Sequence, residues 1–162
     1  MPSTGDAEIR LSSALPVSAA QAWERVTTPE GIDHELGPLL SMTMPPGLRG
    51  RSLADAQELV GLPLGRARLL LLGVLPVEHD EMTLVRVDAG RGFHERSSMR
   101  LLRRWEHERT VEPRGAAMCV VHDRLVLEPR RGVPLPVARR VTAALFAHRH
   151  RRLRGWAADV AA

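Results

Sequence analysis

Residues 135–160 read LPVARRVTAALFAHRHRRLRGWAADV, a stretch with the periodicity of a helix. Pro136 is compatible with the first turn of a helix, and no proline interrupts the residues that follow. At about 100° per residue, the large apolar side chains fall on one half of the helix circumference. These residues are Val137, Val141, Leu145, Phe146, Leu153, Trp156 and Val160. The stretch predicts one long amphipathic helix over residues 136–160, whose apolar half covers the rest of the fold.

Two arginines interrupt the apolar half of this helix. Arg149 falls near the middle of that half, and Arg152 also lies inside it. A guanidinium that points into a core needs a carboxylate or several other acceptors. We expect Arg149, and also Arg152, to reach a carboxylate of the sheet, either Glu95 or Asp123. We expect removal of Arg149 to destabilise the domain by roughly 3 kcal/mol or more. The alternative is that both side chains extend to the rim, with their stems packed on apolar surface.

The first third of the chain predicts a strand followed by short helices. Residues 7–15 alternate as a strand does, and Ser18 with Gln21 forms a capping-box signature for a helix over residues 19–27. Pro29-Glu30-Gly31 is expected to break that helix before a short helical turn over residues 32–36. Residues 39–44 are expected to be extended. Ser52 begins a brief helix that is expected to continue to Val60.

The middle of the chain predicts a series of strands. The strand-like runs cover residues 69–77, 81–88, 93–102, 104–112 and 118–127. The breaks between them, such as His79-Asp80 and Gly90-Arg91-Gly92, are short, which favours antiparallel hairpins over crossover connections. We therefore predict an α+β fold, in which a sheet of about seven antiparallel strands wraps around the long C-terminal helix and short helices follow strand 1.

Length and composition indicate one globular domain over residues 1–162. The hydrophobic fraction is 44% and the charged fraction 26%, and no repeat or linker divides the chain. The single cysteine favours a reducing compartment. The first ten residues lack the apolar core of a signal peptide, and the longest apolar run is too short to span a bilayer. We expect a cytoplasmic protein, either a monomer or a homodimer.

Three predicted strands carry polar residues on the face that also carries their apolar residues. The shared faces contain Phe93, Glu95, Ser97 and Met99, then Trp105, His107, Arg109 and Val111, then Cys119, Val121, Asp123, Leu125 and Leu127. Buried ionisable groups are normally paired. The polar members therefore form a salt-bridged network that joins helix to sheet, a cluster that orients a ligand, or a catalytic cluster.

Other kinds of site receive little support from the sequence. His148 and His150 are about 200° apart on a helix, so they do not form a metal-binding pair. Neither a phosphate-binding glycine loop nor a G-x-S-x-G nucleophile motif is present. His34 and Glu35 are expected to be solvated loop residues. We expect no metal and no cofactor, and we regard nucleic-acid binding through the arginine-rich helix as an unfavoured alternative.

The order of elements and several phrases resemble a known superfamily. LPVSAAQAWERVTTPEG, FAHRHRRLRGW, the W-x-H-x-R strand of Trp105, His107 and Arg109, and the HRHRRLR helix are similar to the START-like or SRPBCC superfamily, in an uncharacterised bacterial branch. The resemblance implies a helix-grip fold with a deep cavity between the sheet and the C-terminal helix. Members of the superfamily include polyketide cyclases and lipid-transfer proteins. The insertion at residues 52–61 departs from the minimal pattern.

The resemblance and the inward-facing residues together predict the function. We expect non-catalytic binding or transport of a small hydrophobic or aromatic molecule. The predicted ligand-binding residues are Phe93, Glu95, Ser97, Met99, Trp105, His107, Arg109, Asp123, Leu145, Arg149 and Leu153. The alternative is a cyclase or dehydratase, a lyase or isomerase that uses His107 with Glu95 or Asp123 as an acid/base pair.

Overall fold

A computed structural model describes residues 5–162, which contain seven strands and three α-helices. The strands are β1 (Ala7–Leu15), β2 (Leu40–Met42), β3 (Pro63–Leu71), β4 (Leu75–Asp88), β5 (Gly92–Met99), β6 (Leu102–Pro113) and β7 (Cys119–Pro129). The helices are α1 (Ala19–Thr27), α2 (Pro29–Leu36) and α3 (Leu135–Ala161). Residues 1–4, which begin the segment expected to lack a signal peptide, lie outside the described residues.

The strands form one sheet in the order β1-β7-β6-β5-β4-β3-β2, and every neighbouring pair is antiparallel. Strands β2 to β7 follow one another as a meander, and β1 pairs with β7 at the far edge. The sheet curls around α3, which also packs against α2. The predicted α+β helix-grip fold is therefore confirmed.

Helix α1 begins and ends where the sequence predicts. The Ser18 hydroxyl accepts the backbone N–H of Gln21, and the Gln21 side chain accepts the backbone N–H of Ser18. This reciprocal capping satisfies donors that the first turn of a helix leaves unpaired. Trp23 and Val26 face the core, so the amphipathic pattern and the cap agree.

Helix α1 ends before Pro29 as predicted, but residues 29–31 do not separate it from the next helix, because Pro29 begins α2. The Thr28 hydroxyl accepts the backbone N–H of Gly31 at 3.2 Å, and Pro29 occupies the first turn, where its missing N–H has no helical partner. A Cβ at position 31 would lie only 1.6 Å from the carbonyl oxygen of Arg25. Glycine therefore permits the close corner between α1 and α2.

The predicted strand over residues 69–77 is wrong, and the predicted strand over residues 81–88 is part of a longer one. The chain reverses at residues 72–74, so β3 ends at Leu71 and β4 begins at Leu75 and continues through the predicted break at His79-Asp80. Leu72 and Gly73 both have positive φ, at 51° and 75°. Since Leu72 and the neighbouring Val74 are exposed, the apolar run that resembled a buried strand is a hairpin tip.

The segment between β2 and β3 contains three 3-10 turns instead of the predicted brief helix: Pro46–Leu48, Leu53–Asp55 and Gln57–Leu59. The Ser52 hydroxyl accepts the backbone N–H of Ala54 at 2.9 Å, which caps the second turn. Leu48 and Leu53 are buried. Within the insertion at residues 52–61, Leu53 and Ala56 are buried and attach the segment to the core.

The buried face of α3 differs from the predicted apolar half. It consists of Ala138, Thr142, Phe146, Arg149, His150, Leu153 and Ala157. By contrast, Val137, Val141 and Val160 are 53%, 64% and 47% exposed. The covered face is thus rotated toward small and polar residues. No helix in residues 5–162 is long and apolar enough to cross a membrane.

Candidate functional site

Two cross-strand pairs bring the predicted polar residues together on the concave face. Glu95 on β5 lies directly opposite His107 on β6, and Arg109 on β6 lies opposite Asp123 on β7. Side chains that face each other in this way have Cβ atoms about 5 Å apart, so they are in contact. All four residues are buried. The antiparallel register therefore assembles a charged cluster in the interior.

Arg109 is the centre of this cluster and is fully buried. Its Nε and Nη2 atoms donate to Oδ1 and Oδ2 of Asp123 at 2.7 and 2.6 Å, and its Nη1 donates to Oε1 of Glu35 at 2.7 Å. Burial would raise the pKa of Asp123, but the charges of Arg109 and His107 hold it well below its usual value. One guanidinium thus joins the sheet to α2 through two carboxylates.

The partner of Arg149 is a carboxylate, but not one of the sheet. Its Nε donates to Oε2 of Glu35 on α2 at 3.0 Å, so the prediction of Glu95 or Asp123 is wrong. The prediction that Glu35 is solvated is also wrong, because this side chain is completely buried. Burial would raise the pKa of Glu35, but Arg109 and Arg149 lower it below its usual value.

A sequence signal for Glu35 was present. It follows Ile32 by three residues and precedes Leu36, so a helix over residues 29–36 places all three on one face. The structure shows that all three are buried. The signal was missed because Pro29 was interpreted as a break and not as the first residue of α2.

Arg152 and His148 contact the C-terminal end of α2. Nε of Arg152 donates to the carbonyl oxygen of His34 at 3.0 Å, and Nε2 of His148 lies 2.8 Å from the carbonyl oxygen of Gly37. The prediction that Arg152 reaches a carboxylate is therefore wrong. Carbonyl groups at the end of a helix lack intrahelical donors, so cationic or N–H-bearing side chains stabilise them.

His107 lies between two carboxylates. Its Nε2 is 2.8 Å from Oδ1 of Asp123, and its Nδ1 is 3.6 Å from Oε1 of Glu95. Burial would lower the pKa of His107, but Asp123 and Glu95 outweigh that effect and raise it. Phe93 and Phe146 pack edge-on against the ring. Both ring nitrogens therefore face carboxylates, an arrangement that favours the protonated form of the imidazole.

His150 belongs to the same cluster, although the sequence did not predict it. Its Nε2 lies 2.9 Å from Oδ2 of Asp123, and its Nδ1 lies 2.7 Å from the Ser13 hydroxyl, which also accepts from Arg154. His150 follows Phe146 by four residues and precedes Leu153 by three, the spacing of one helix face. This signal was hidden because the predicted apolar half was centred on the wrong side of α3.

A cavity of about 430 Å³ lies beside this cluster, between the concave face of the sheet and the N-terminal half of α3. Helices α1 and α2, strand β2 and the 3-10 turns complete its wall. All but six of the lining residues are apolar. The six are Glu78, Asp80, Glu95, His107, Thr142 and Arg149.

The predicted ligand-binding residues divide into two groups. Seven line the cavity: Phe93, Glu95, Met99, Trp105, His107, Leu145 and Arg149. The other four are also buried, but they do not belong to the cavity wall: Ser97, Arg109, Asp123 and Leu153. The concave face therefore has an open apolar end and a closed charged end.

The sequence missed one wall of the cavity and one polar residue within it. Met42, Met44, Leu48 and Leu53 contribute the wall between β2 and β3, where glycines and prolines obscured the pattern. Asp80, which was predicted to lie in a break, is a buried residue of β4 that lines the cavity. Its position two residues before Met82 and four before Leu84 is the alternation of a strand face.

Solved structures with the same fold cover nearly the whole chain. A START superfamily protein from Mycobacterium smegmatis is 15% identical, with a TM-score of 0.68 over 94% of this chain and 98% of that one. The aromatase/cyclase Zhui from a Streptomyces species is 11% identical, with a TM-score of 0.70 over 94% and 93%. A norcoclaurine synthase from Thalictrum is 15% identical, with a TM-score of 0.65 over both complete chains. The predicted START-like fold is thereby confirmed.

A comparison with protein families matches most of the chain, as the comparison of structures does. No curated protein matches the chain. One family model matches residues 13–156, which run from the end of β1 into the last turns of α3 and so include the charged cluster and the cavity. The chain has a START-like helix-grip fold and belongs to the family described as Domain of unknown function (DUF8410).

Proposed function

We propose that the protein binds or carries a small hydrophobic or aromatic molecule in the cavity between the sheet and α3, without catalysing its conversion. The observation that carries this proposal is the cavity of about 430 Å³ with its largely apolar wall. This volume lies within the range of about 300–1,000 Å³ found for small-molecule sites.

Packing physics supports a ligand in this space. Protein cores contain few voids larger than a water molecule, because an empty space forfeits dispersion contacts along its whole wall. Water does not compensate where the wall is apolar, since each buried water needs two to four polar partners. An apolar molecule in the cavity restores the lost contacts, and its binding then stabilises the fold.

A cyclase or dehydratase that uses His107 is the second candidate, because this histidine lines the cavity between two carboxylates. Two of the similar structures are an aromatase/cyclase and a norcoclaurine synthase. Against this candidate, the carboxylates raise the pKa of His107 and occupy both ring nitrogens. Because both nitrogens face these carboxylates, neither is directed at a ligand as a general acid or base would be. Binding therefore has the stronger support.

Nucleic-acid binding has less support than either candidate. Arg149 and Arg152 point toward α2 and are engaged there, so they do not join the arginines on the outer face of α3. Those that remain exposed on that face are Arg139, Arg140, Arg151 and Arg154.

A binding experiment tests the proposal with a matched pair of variants. The neutral dye Nile red fluoresces strongly in apolar sites, and we expect saturable binding by the wild-type protein. Ala138→Phe places a ring in the cavity, because Ala138 is buried in its wall. We expect this variant to bind the dye at least about tenfold more weakly. Ala144→Phe, on the exposed side of the same helix, is the control and should bind as the wild type does. Equal binding by all three proteins would remove the cavity as the site.

Native mass spectrometry then separates the two candidate functions. We expect a small molecule to co-purify with the protein and to be released, unchanged, when the protein unfolds. If incubation with the wild-type protein converts that molecule, and incubation with His107→Asn does not, the enzyme is the correct interpretation.

A further inference from the structure

Asp80 is the ionisable residue of the cavity wall that the charged cluster leaves without a partner. Its side chain is buried, and its Oδ1 atom has no hydrogen-bond partner among residues 5–162. The nearby Ser97 hydroxyl lowers the pKa of Asp80, but among these residues it too lacks a partner in hydrogen-bonding geometry, so it does not satisfy Oδ1. Buried carboxyl groups are normally paired, so an unpaired one that faces a cavity indicates a ligand group.

Asp80 differs from the neighbouring carboxyl groups because no cationic side chain in the described part of the chain pairs with it. Within the charged cluster, each of the carboxylates Glu35, Asp123 and Glu95 faces an arginine or a histidine side chain. Asp80 has no corresponding cation. Burial, with Glu95 next to it, raises the pKa of Asp80 to about 8.

The other acidic residue at this end of the cavity is already occupied. Glu78 accepts the backbone N–H groups of His79, Arg100 and Leu101, which fixes the turn between β5 and β6. Glu78 on β4 and Glu95 on β5 both disfavour ionisation of Asp80, whereas His107 on β6 favours it. Among the lining residues, α3 contributes one ionisable group, Arg149, whose charge is balanced by Glu35.

We propose that the cavity takes an apolar molecule that carries a protonated amine, and that Asp80 binds the ammonium group. This inference rests on the proposed function and adds the chemical class of the ligand. The apolar part of the ligand occupies the wall of Met, Leu and Val side chains, while the ammonium supplies the cation that Asp80 lacks. An alkylammonium, like a lysine side chain, stays protonated near pH 7. Asp80 then gives its proton to solvent and binds as a carboxylate.

Three ligands that have the same alkyl chain length but different head groups test the amine preference separately from apolar binding itself. Decylamine, decanol and decanoate are used to displace Nile red from the wild-type protein at pH 7. We expect decylamine to bind at least about tenfold more tightly than decanol, because its ammonium group forms a charge-assisted hydrogen bond with Asp80 in a site that excludes water. Decanoate should bind most weakly, because a second carboxylate would approach Asp80, Glu95 and Glu78.

Calorimetry supplies a second readout. Because Asp80 is mostly protonated at pH 7, amine binding should release about one proton, which buffers of different ionisation enthalpy reveal. Asp80→Asn should abolish both the proton release and the preference for the amine over the alcohol. Glu81→Gln, on the same strand but exposed and paired with Arg66, is the control and should change neither.

The outcomes are distinguishable. If none of the three compounds displaces the dye and the dye itself does not bind, the proposed function fails and the inference fails with it. If decanol binds as tightly as decylamine, or decanoate binds best through Arg149, the binding function stands and the inference about Asp80 is overturned. The comparison among ligands uses the wild-type protein, so it does not depend on the folding of any variant.

Discussion

The two ends of the concave face differ in how their buried polar groups are satisfied. Under the C-terminal half of α3, Glu35, Arg109 and Asp123 are completely buried and saturate one another with hydrogen bonds. Under the N-terminal half, the wall is largely apolar and encloses a cavity, and Oδ1 of Asp80 has no hydrogen-bond partner among the described residues. The same sheet and helix thus contain one closed region and one open region.

This contrast suggests a structural reason for the cavity: the buried ion pairs fix the position of α3 relative to the sheet and α2. Arg109 links β7 to α2, and Arg149 links α3 to α2, so three elements are fixed by two guanidinium groups and two carboxylates. Their geometry is directional, unlike apolar packing, and it holds α3 at a set distance from the sheet. The cavity then lies beside this junction, where side chains from α3 do not reach the opposite wall.

The largest effect is expected for Arg109→Leu. The substitution leaves Glu35 and Asp123 buried with fewer cations, and breaking a buried ion pair costs about 3–5 kcal/mol. We expect a loss of that size in the free energy of unfolding by urea, or failure to fold. The control is Arg86→Leu, which removes an exposed ion pair between Arg86 and Glu108 on the outer face. This variant should change stability by less than about 1 kcal/mol. Similar small effects would mean that Arg109 is not the junction.

A smaller effect is expected for Arg149→Ala, because Glu35 keeps its hydrogen bonds from Arg109. We expect a loss of about 2–3 kcal/mol from the unpaired charge and from contact with Phe146. Arg151→Ala, exposed on the same helix, should cost less than about 0.5 kcal/mol. Thermal melts of the two variants measured together check this difference. Equal losses would show that the Arg149 guanidinium gains nothing from Glu35.

The effect expected at Asp80 is smallest near pH 4 and depends on pH. Because the folded pKa of Asp80, about 8, lies above its unfolded value, the folded state binds more protons between pH 4 and 8, and stability falls as pH rises. Asp80→Asn removes this term. We expect the variant to match the wild type near pH 4 and to exceed it by a margin that grows steadily as the pH rises to 8.

Urea unfolding at both pH values measures this difference. Asp88→Asn, at the exposed end of the same strand, is the control and should differ from the wild type by less than about 0.5 kcal/mol throughout. A difference at Asp80 that does not change with pH would contradict the assigned charge state.

The sequence predicted the structure correctly in the regions where several local signals agree. The capping box of Ser18 and Gln21, the alternation of β5 to β7, and the periodicity of α3 predicted the fold and most of the inward polar residues. The strand faces also predicted that Glu95, His107, Arg109 and Asp123 lie inside. Register then decided which of them pair, and no single strand contains that information.

The errors have physical causes in particular residues. Glu35 was missed because a proline both ends α1 and begins α2, and sequence alone does not separate the two roles. Asp80 was missed because the exposed tip at Leu72 and Val74 made a turn resemble a strand, which shifted the expected break onto a buried residue. The face of α3 was misplaced because Val137 and Val141 lie at the edge of an open cavity, where apolar residues remain exposed.

The claim that an apolar ligand occupies the cavity is tested most directly by NMR of methionine methyl groups labelled with carbon-13. Met42, Met44, Met82 and Met99 line the cavity, whereas Met118 is exposed elsewhere. On titration with Nile red, we predict saturable shifts of the four lining methyl signals at one common dissociation constant, and an unchanged Met118 signal. Shifts confined to Met118, or no shift at any of the five, would contradict binding in the cavity.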